Sequence, residues 1–412
     1  MCCRRHPYEK PCLKTDGRLS LDSPPHNGYT VGMANIGIDA RLSNYRVGGI
    51  STYTRMLIGA LEKIENDHTF TVFQSRRAKH TMTSALTEQF VAQKLWTPPH
   101  HRLERWLLSL ELSTTDLDVL HSPDFIPPQW GARRMVITVH DLTFLRYPEH
   151  KDLEGSRYYT RQINWAVKRA DHILSVSNAT KRDLIDMLDV PEDKITVQPH
   201  GVHTREYPML QGTGLGNRMV NDWLNDGAFP QEFILHVGTI EPRKNIPALL
   251  DAYMELRARW AEAPPLLLVG QRGWLYEDIV QQIETLRKDG APILWRDDVS
   301  NDQLSLIYNR AAVLVMPSLY EGFGLPPLEA MAAGTPVIVS NTSSLPEVVG
   351  DAGLLIDPED PGTITAALER ALTDQTWREA ARRKGLAQAA KFSWENSARI
   401  ALGVYEHVLT QA

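Results

Sequence analysis

The amino-acid sequence predicts an α/β protein built from two Rossmann-like, doubly wound domains that face each other across a cleft. From Asn35 onward, short apolar runs alternate with amphipathic helical stretches, which is the rhythm of βαβ units on a parallel sheet. The rhythm breaks at 203–230, where glycine and proline interrupt the periodic pattern, and it begins again at Glu232. A chain of 412 residues is also too long for one compact core, so two domains are expected.

The first domain is predicted to span residues 33–205. Its apolar runs of strand length lie at 35–40, 69–74, 117–122, 135–140, 172–177 and 194–199. Helical periodicity falls between these runs at 49–65, 101–112, 156–170 and 178–188. The last of these helices begins at Ser177 or Asn178, both of which suit an N-cap.

The second domain is predicted to span residues 231–392, after a linker at 206–230. Its strand-like runs lie at 232–238, 265–270, 292–297, 312–317, 336–341 and 353–358. The final segment, 393–412, is predicted to form one amphipathic helix that crosses back to the first domain. Residues 1–32 are polar and aperiodic, so we expect a disordered leader, although Cys2 and Cys3 beside two arginines are also compatible with a lipidation site.

Composition excludes several classes of protein. Hydrophobic residues make up 42% and charged residues 23%, and the net charge of −6, taken over the whole chain, argues against nucleic acid or an anionic membrane as the main partner, with a local basic patch left open. All three cysteines lie in the first twelve residues, so no disulfide is expected in the folded body. The chain lacks an apolar run of membrane-spanning length and its opening residues lack the apolar core of a signal peptide. We therefore expect a cytoplasmic protein, with peripheral contact at the inner face of the membrane left open.

One amphipathic segment bears on that membrane contact. The stretch HHRLERWLLSLEL (100–112) is rich in leucine and carries a tryptophan. Such spacing is typical of a helix that faces the core, and less commonly of a helix that touches lipid.

The strongest local signal follows the apolar run at 312–317. The loop Glu321–Gly324 is expected at the carboxyl end of that strand, and a Pro-Pro pair then starts a helix that carries Glu329. Glycines just before a helix leave its free N–H groups open to an anion, and a carboxylate suits a hydroxyl-rich ligand. The alternative is that Glu329 only complements the helix dipole.

A second signal is the stretch HVGTIEPRKN (236–245). A strand is predicted to end at Gly238, and the cations Arg243 and Lys244 precede a helix that begins near Asn245. A basic pair at a helix N-terminus forms an anion site through charge and dipole together. The alternative is an ordinary surface pair.

Three candidates lie in the first domain. Gly48 and Gly49 follow the first strand and precede a helix, although turns need glycine for many reasons. Tyr45 and Arg46 on the same loop are candidates for contact with an acceptor. His140 ends a predicted strand at the cleft, although a lone histidine is usually structural.

The stretch EGFGLPPLE (321–329) resembles the E-x7-E motif of retaining glycosyltransferases with the GT-B fold, of the family 4 or group 1 type, and the resemblance extends over most of 35–411. It implies that Glu329 binds the ribose of a nucleotide sugar and that Glu321 contacts the donor sugar. The loop amides between them would hold the sugar and the distal phosphate, namely those of Gly322, Phe323, Gly324 and Leu325.

The stretch 236–245 is similar to the diphosphate clamp of the same family. Lys244 matches the lysine of the clamp, whereas Thr239, after Gly238, stands where an arginine is common. The resemblance leaves open whether Arg243 replaces that arginine or points to solvent.

The resemblance also assigns roles in the first domain. The Gly48–Gly49 pair would approach the donor phosphates from the opposite side of the cleft, and His140 would lie near the donor sugar. His200 stands just before the linker and is interpreted as a hinge residue.

The implied reaction is transfer of a hexosyl group from a nucleotide diphosphate sugar to a glycan or polyprenyl-linked acceptor, with retention and without a metal or cofactor. Similarity to bacterial polysaccharide mannosyltransferases makes GDP-mannose the first donor and a UDP-sugar the second. The D-x-D triplet at 116–118 is not expected to bind metal because it precedes a buried-looking strand. The sequence makes no prediction of the oligomeric state.

Two rival functions use the same architecture. A nucleotide-sugar 2-epimerase would need an acid and a base at the sugar ring, and the E-x7-E arrangement argues against it. A catalytically inactive nucleotide-sugar-binding partner subunit is disfavoured because Lys244, Glu321 and Glu329 are all present.

Overall fold

The computed structural model describes residues 32–44, 48–78, 81–82, 88–150, 153–202 and 232–411. The first domain is a parallel sheet of seven strands in the order β3-β2-β1-β4-β5-β6-β7. These strands are β1 (Asn35–Asp39), β2 (Thr69–Ser75), β3 (Phe90–Leu95), β4 (Val119–Ser122), β5 (Arg134–Val139), β6 (His172–Ser175) and β7 (Ile195–Val197). Its helices are α1 (Gly49–Leu61), α2 (Glu104–Leu112), α3 (Thr143–Arg146), α4 (Leu153–Arg169) and α5 (Asn178–Leu188).

The second domain is a parallel sheet of six strands in the order β10-β9-β8-β11-β12-β13. These strands are β8 (Ile234–Val237), β9 (Leu266–Val269), β10 (Ile293–Arg296), β11 (Val313–Met316), β12 (Val337–Ser340) and β13 (Leu354–Ile356). Its helices are α6 (Ile246–Arg259), α7 (Glu277–Lys288), α8 (Asn301–Arg310), α9 (Leu325–Ala332), α10 (Leu345–Val349), α11 (Pro361–Thr373) and α12 (Gln375–Ala389), and the chain ends with α13 (Trp394–Thr410). The prediction of two doubly wound domains is confirmed.

The strand order of each sheet reverses once, and these two points locate the site. The reversal lies between β1 and β4 in the first sheet and between β8 and β11 in the second. Neighbouring connections leave such a point on opposite faces of the sheet, so a crevice opens at the carboxyl ends of its strands. Ligand-binding residues are therefore expected on the loops after these four strands.

The last helix belongs spatially to the first domain. Trp394, Ala401 and Tyr405 of α13 share a hydrophobic core with Ile38 of β1 and Leu57 of α1. The chain leaves and re-enters the first domain at one place, because the amide of Val202 donates to the carbonyl of Phe392 (3.1 Å).

Two local predictions had different outcomes. Ser177 caps α5, since its hydroxyl oxygen accepts from the amide of Thr180. The strand β3 was missed because it is an edge strand: Val91 and Lys94 face solvent, which breaks the apolar run, while Phe90 stacks on Phe70.

The core-facing interpretation of 100–112 is wrong for one side of the helix. Leu108 and Leu112 of α2 are buried, but Trp106, Leu107 and Leu110 are exposed. The apolar residues therefore lie on both sides of this helix.

Several predicted segments lie outside the described residues. These are residues 1–31 of the leader, the linker at 206–230, and the loop positions Tyr45 and Arg46. In the part of the chain that is described, none of the helices is both long and apolar enough to cross a membrane.

Candidate active site

The carboxyl ends of the two sheets meet directly. The backbone of Gly322, in the loop after β11, lies against His140, which follows β5: a Cβ at Gly322 would come within 1.8 Å of the His140 carbonyl oxygen. The hydroxyl of Ser177 donates to the carbonyl of Gly322 (2.7 Å). At the N-terminus of α5, the amides of Asn178 and Ala179 donate to the Glu347 carboxylate of α10 (2.8 and 2.7 Å). The cleft thus has two walls in contact at one side.

The C-terminal wall, consisting of Glu241, Arg243, Lys244 and Glu321, is a buried ion cluster. Lys244 Nζ lies 2.6 Å from Glu321 Oε1, and Arg243 Nη1 lies 2.7 Å from Glu321 Oε2. Arg243 Nη2 is also 2.7 Å from Glu241 Oε1. Residues of two separate motifs, 77 positions apart in sequence, are therefore brought together.

The orientation of Arg243 answers a question that the sequence left open. Its side chain is only 16% exposed, and Nη1 donates to the carbonyl of Tyr320 as well as to Glu321. Arg243 therefore points into the cluster and not to solvent. Thr239, where an arginine was expected by resemblance, is half-buried beside Gly238 and adds no charge.

The local backbone explains how Lys244 reaches the cluster. Residues Pro242–Lys244 form a short 3-10 helix that ends at Asn245 in the left-handed conformation (φ 55°), and α6 begins one residue later. The lysine side chain then passes over Gly238, where an added Cβ would lie 3.2 Å from Lys244 Cε. Glycine at the end of β8 leaves room for this path.

Burial and charge act in opposite directions on the cluster. Burial alone would raise the pKa of the Glu321 carboxyl, but Arg243 and Lys244 lower this pKa to about 2. Burial lowers the pKa of Lys244, partly offset by the attraction of Glu321. The pKa of Arg243 is raised by Glu321 and Glu241 despite its burial. Glu321 is therefore ionised at neutral pH, and its charge is shared between two cations.

The loop after β11 is held rigidly before α9. The Ser344 hydroxyl lies 2.9 Å and 2.6 Å from the carbonyl oxygens of Glu321 and Phe323. Gly324 takes a positive φ of 113° as N-cap, and α9 begins at Leu325. Pro326 and Pro327 lack a backbone N–H, and the Leu328 amide donates to the carbonyl of Gly324 (3.4 Å), so the first turn of α9 presents the amide of Leu325 and the positive end of the helix dipole at this point.

Two predicted site residues lie away from the ion cluster. The Phe323 side chain is buried and packs edge-on against His200, with ring centroids 4.9 Å apart, so its side chain belongs to the core between the domains. Glu329, half-buried on α9, accepts a hydrogen bond from the Tyr308 hydroxyl of α8 (2.8 Å). His200 itself is buried among Phe323, Tyr53 and Trp394.

His140 directly follows β5, one residue beyond the end of the strand, with its ring 4.9 Å from that of Tyr53. Burial lowers the pKa of His140, so the ring is neutral at pH 7. Nε2 lies 2.9 Å from the carbonyl oxygen of Pro123 and must therefore carry the proton. Nδ1 is then an acceptor, which suits a ligand hydroxyl group.

The Gly48–Gly49 pair marks the start of α1. A Cβ at either position meets no other described atom within 4 Å, and Gly48 has an extended backbone. Packing within the described chain thus gives no reason for glycine here. Glycine is an accepted residue at a helix N-cap, and it also leaves the backbone open to a ligand.

The N-terminal wall, consisting of Asp39, Arg41, His100, Glu104 and Asp124, was missed from the sequence. Asp39, His100, Glu104 and Asp124 line an open cavity at the carboxyl ends of β1 and β4, next to the first turn of α1, and Arg41 bonds two of these carboxylates. These residues come from three distant stretches of chain and form no local motif. A charged residue directly at the end of a predicted strand, as at Asp39, was the available signal.

Charges on the N-terminal wall are mostly acidic. Arg41 is buried and bonds both Asp39 and Glu104 at 2.7 Å. Burial raises the pKa of Glu104 to about 7, although Arg41 opposes this. His100 Nε2 lies 2.8 Å from Asp124 Oδ2, and His100 holds the pKa of Asp124 low despite its burial.

Neither wall shows a metal centre. Within the described ranges, no group of three or more His, Cys, Asp or Glu side chains is placed to hold a metal ion. Asp118 of the D-x-D triplet is engaged structurally, since it accepts from the Asn35 amide (2.9 Å) and pairs with Arg133 (3.1 Å).

Comparison with known proteins gives the chain a family. Residues 225–391 match the family described as Glycosyl transferases group 1, and residues 47–206 match Glycosyltransferase Family 4. The O-antigen chain mannosyltransferase B of Escherichia coli is 37% identical over 294 residues, covering 70% of this chain and 74% of that protein. The serotype-specific mannosyltransferase WbdA of Escherichia coli is 34% identical over 287 residues, covering 69% of this chain but only 35% of that longer protein.

The architecture is also found among solved structures. The sucrose-phosphate synthase of Thermosynechococcus elongatus matches with a TM-score of 0.72 at 21% identity, covering 91% of this chain and 98% of that one. With its two parallel sheets and the two family matches, the chain belongs to the group 1, family 4 glycosyltransferases and has the GT-B fold.

Proposed function

We propose that the protein transfers a hexosyl group, mannose from GDP-mannose as the first candidate, to a hydroxyl of a glycan or polyprenyl-linked acceptor in the synthesis of a cell-surface polysaccharide, with retention at the anomeric carbon. The observation that carries the proposal is the buried cluster of Arg243, Lys244 and Glu321 at the reversal point of the second sheet. It combines two cations with an ionised carboxylate, which are the groups that a sugar diphosphate needs.

The cations would stabilise the leaving group. As the bond between the anomeric carbon and the diphosphate oxygen breaks, negative charge develops on the diphosphate. Lys244, Arg243 and the N-terminus of α9 offer positive charge in a buried setting, where it needs little reorganisation. This arrangement supports a reaction without a divalent metal.

Side chains that accept hydrogen bonds would bind the hydroxyl groups of the donor. Glu321, ionised at neutral pH, would accept hydrogen bonds from hydroxyls of the donor hexose. The Nδ1 atom of His140, in the first domain, would accept a hydrogen bond from another hydroxyl. Glu329 would accept from the vicinal hydroxyls of the ribose. The Gly48–Gly49 backbone would approach the phosphates from the first domain.

Retention of the anomeric configuration is explained if the acceptor attacks the anomeric carbon from the same face that the diphosphate leaves. The acceptor oxygen bonds to the anomeric carbon on the face that the diphosphate leaves, and the leaving phosphate oxygen takes the acceptor proton. Glu321 is a poor candidate for a covalent nucleophile because both of its oxygens are held by cations. The carboxylate of Asp124 is likewise engaged by His100.

The N-terminal wall is the natural place for the acceptor. Apolar residues line part of its cavity, and the lining also includes three carboxylates and a histidine, which accept hydrogen bonds from sugar hydroxyls, while the carboxylates repel phosphate. The mannosyltransferase relatives favour GDP-mannose as donor, and a UDP-sugar is the second candidate.

The test is a transfer assay with purified full-length protein, in EDTA, with GDP-mannose and a synthetic mannoside acceptor. We expect an α-linked product, identified from the anomeric coupling in its NMR spectrum, and no transfer by Glu321→Ala. Transfer from UDP-sugars but not from GDP-mannose would show that the donor is a UDP-sugar. A β-linked product would show that the reaction does not proceed with retention. An epimerised sugar formed without acceptor would favour the epimerase.

A further inference from the structure

The outer side of α2 carries an exposed apolar surface, which we call the α2 apolar face. In the described part of the chain, twelve large apolar side chains are exposed, and six of them lie here. The six are Trp96, Leu103, Trp106, Leu107, Leu110 and Trp130. Such clustering differs from the single exposed apolar residues of an ordinary surface, and it marks a site of interaction.

These side chains form one continuous surface. The positions on α2 follow the spacing of one helical stripe. The Trp96 amide donates to the Glu111 carboxylate of α2 (2.8 Å), which holds Trp96 beside the helix. The Trp130 amide donates to the Ser109 hydroxyl (3.0 Å), and the rings of Trp130 and Trp106 pack edge-on with centroids 5.4 Å apart.

The opposite side of the same helix faces the N-terminal wall. Glu104 is 2% exposed, bonds Arg41 and lines the cavity, while Leu108 and Leu112 enter the core. A helix of nine residues thus separates the cavity from the apolar face. Whatever the face binds will be about one helix diameter, roughly 10 Å, from the cavity.

The charges around the face are positive. Segment 94–112 contains three basic residues, Lys94, Arg102 and Arg105, and two acidic residues: Glu104 is buried against Arg41, and Glu111 accepts from the Trp96 amide. Arg76 lies over the ring of Trp96, with its guanidinium carbon 3.9 Å from the centroid. Tryptophan beside leucine and arginine is the composition of protein surfaces that enter the headgroup region of a membrane.

We propose that the α2 apolar face docks on the surface of an anionic phospholipid bilayer, with its tryptophans in the headgroup region. Docking there sets the cavity of the N-terminal wall next to the membrane surface, where the sugar end of a lipid-linked acceptor is presented. Only this last consequence rests on the proposed function, since the lipid contact itself needs neither donor nor acceptor.

The test is sedimentation of the full chain with vesicles, without any nucleotide sugar. Vesicles of equal parts phosphatidylglycerol and phosphatidylcholine are compared with pure phosphatidylcholine. The variant is the double substitution Trp106→Gln with Leu110→Gln, and the matched control is Met187→Gln with Leu355→Gln, two exposed apolar residues elsewhere. Thermal unfolding of each variant shows that it is folded.

We expect binding to the anionic vesicles that the test variant weakens about tenfold or more, because two buried apolar contacts are lost, while the control binds as wild type does. Equal binding by wild type and test variant, or no binding of wild type to anionic vesicles, would overturn the proposal. A wild-type dimer that the test variant dissociates, with no vesicle binding, would assign the face to a second copy of the chain.

The proposed sugar transfer and the proposed membrane docking can be disproved independently of each other. Vesicle binding without sugar transfer would leave the lipid contact standing and remove the proposed reaction. Transfer to a water-soluble mannoside without vesicle binding would do the reverse.

Discussion

The two walls of the cleft differ in the balance of their charges. The C-terminal wall pairs two cations, Arg243 and Lys244, with two carboxylates, whereas the N-terminal wall has Arg41 against Asp39, Glu104 and Asp124. The first pattern can accept an anion when Glu321 turns to another partner. The second already has an excess of acceptors and favours neutral ligands that donate hydrogen bonds. In the proposed reaction, this difference would place the diphosphate at the C-terminal wall and a sugar hydroxyl at the N-terminal wall.

The largest expected effect comes from removing the shared carboxylate. In Glu321→Gln, Arg243 and Lys244 lose their common charged partner while remaining buried. Breaking a buried ion pair costs about 3–5 kcal/mol, so the free energy of unfolding should fall by roughly that amount. GDP brings negative charge to the same cations, so the stabilisation by saturating GDP should be larger in the variant than in wild type.

Urea unfolding with and without GDP measures both quantities. Glu359→Gln, an exposed glutamate of the same domain, is the matched control and should change neither. A variant that kept wild-type stability, or gained less from GDP than wild type does, would contradict the idea that Glu321 and the diphosphate share the two cations.

The next effect concerns the lysine itself. Lys244→Ala should lower kcat about 100- to 1,000-fold, the usual loss when one preorganised donor to a developing negative charge is removed. Lys288→Ala, on the exposed end of α7, serves as control. Steady-state kinetics with the donor saturating decides the matter, and a loss below about threefold would remove Lys244 from the reaction.

The C-terminal wall could be located from the sequence because each half of it is a short motif next to a strand. Gly238, Arg243 and Lys244 lie within seven residues of one another, and Glu321 lies in the loop that follows β11. Such local patterns survive folding unchanged. The contact between Lys244 and Glu321 could only be inferred from the parallel topology, which places β8 beside β11.

The N-terminal wall could not be located in this way. Asp39, His100 and Asp124 are separated by about 60 and 24 residues, and each alone looks like a loop residue. Only the sheet, which places β1 beside β4, brings Asp39 and Asp124 to one cavity. The direction of Arg243 and the exposed side of α2 were equally invisible, since both depend on tertiary packing and not on local spacing.

The third prediction tests whether the two walls bind different substrates. In Asp124→Asn, the N-terminal wall loses a charge-assisted hydrogen bond to His100. It also loses a carboxylate that could accept hydrogen bonds from the hydroxyls of a ligand. Hydrogen bonds to charged groups contribute about 1.5–3 kcal/mol, so the KM for the acceptor should rise about 10- to 100-fold. The KM for the donor should stay within about twofold of wild type. A rise in the donor KM with an unchanged acceptor KM would reverse the assignment of the walls.

The smallest expected effect is a pH dependence of the free energy of unfolding that arises from a buried histidine of β4. His121 of β4 is fully buried, with Nδ1 2.7 Å from the Tyr405 hydroxyl and Nε2 2.8 Å from the Thr138 hydroxyl. Burial, aided by His140, lowers the pKa of His121 to about 3. The unfolded chain takes up this proton near pH 6.5, and the folded protein does not.

The stabilisation by neutral His121 is therefore complete above pH 6.5 and is lost as the pH falls toward 3, by about 1.4 kcal/mol per pH unit. Glu321, with a pKa of about 2, stays ionised over pH 5–7, so the ion cluster adds no such slope there. His121→Gln keeps hydrogen-bonding groups without the titration. Urea unfolding at pH 7, 6 and 5 should show that the variant loses about 2 kcal/mol less stability than wild type between pH 7 and pH 5, because the histidine of the unfolded chain is only partly protonated near pH 6.5. A His121→Gln slope equal to the wild-type slope would mean that this histidine is protonated in the folded protein.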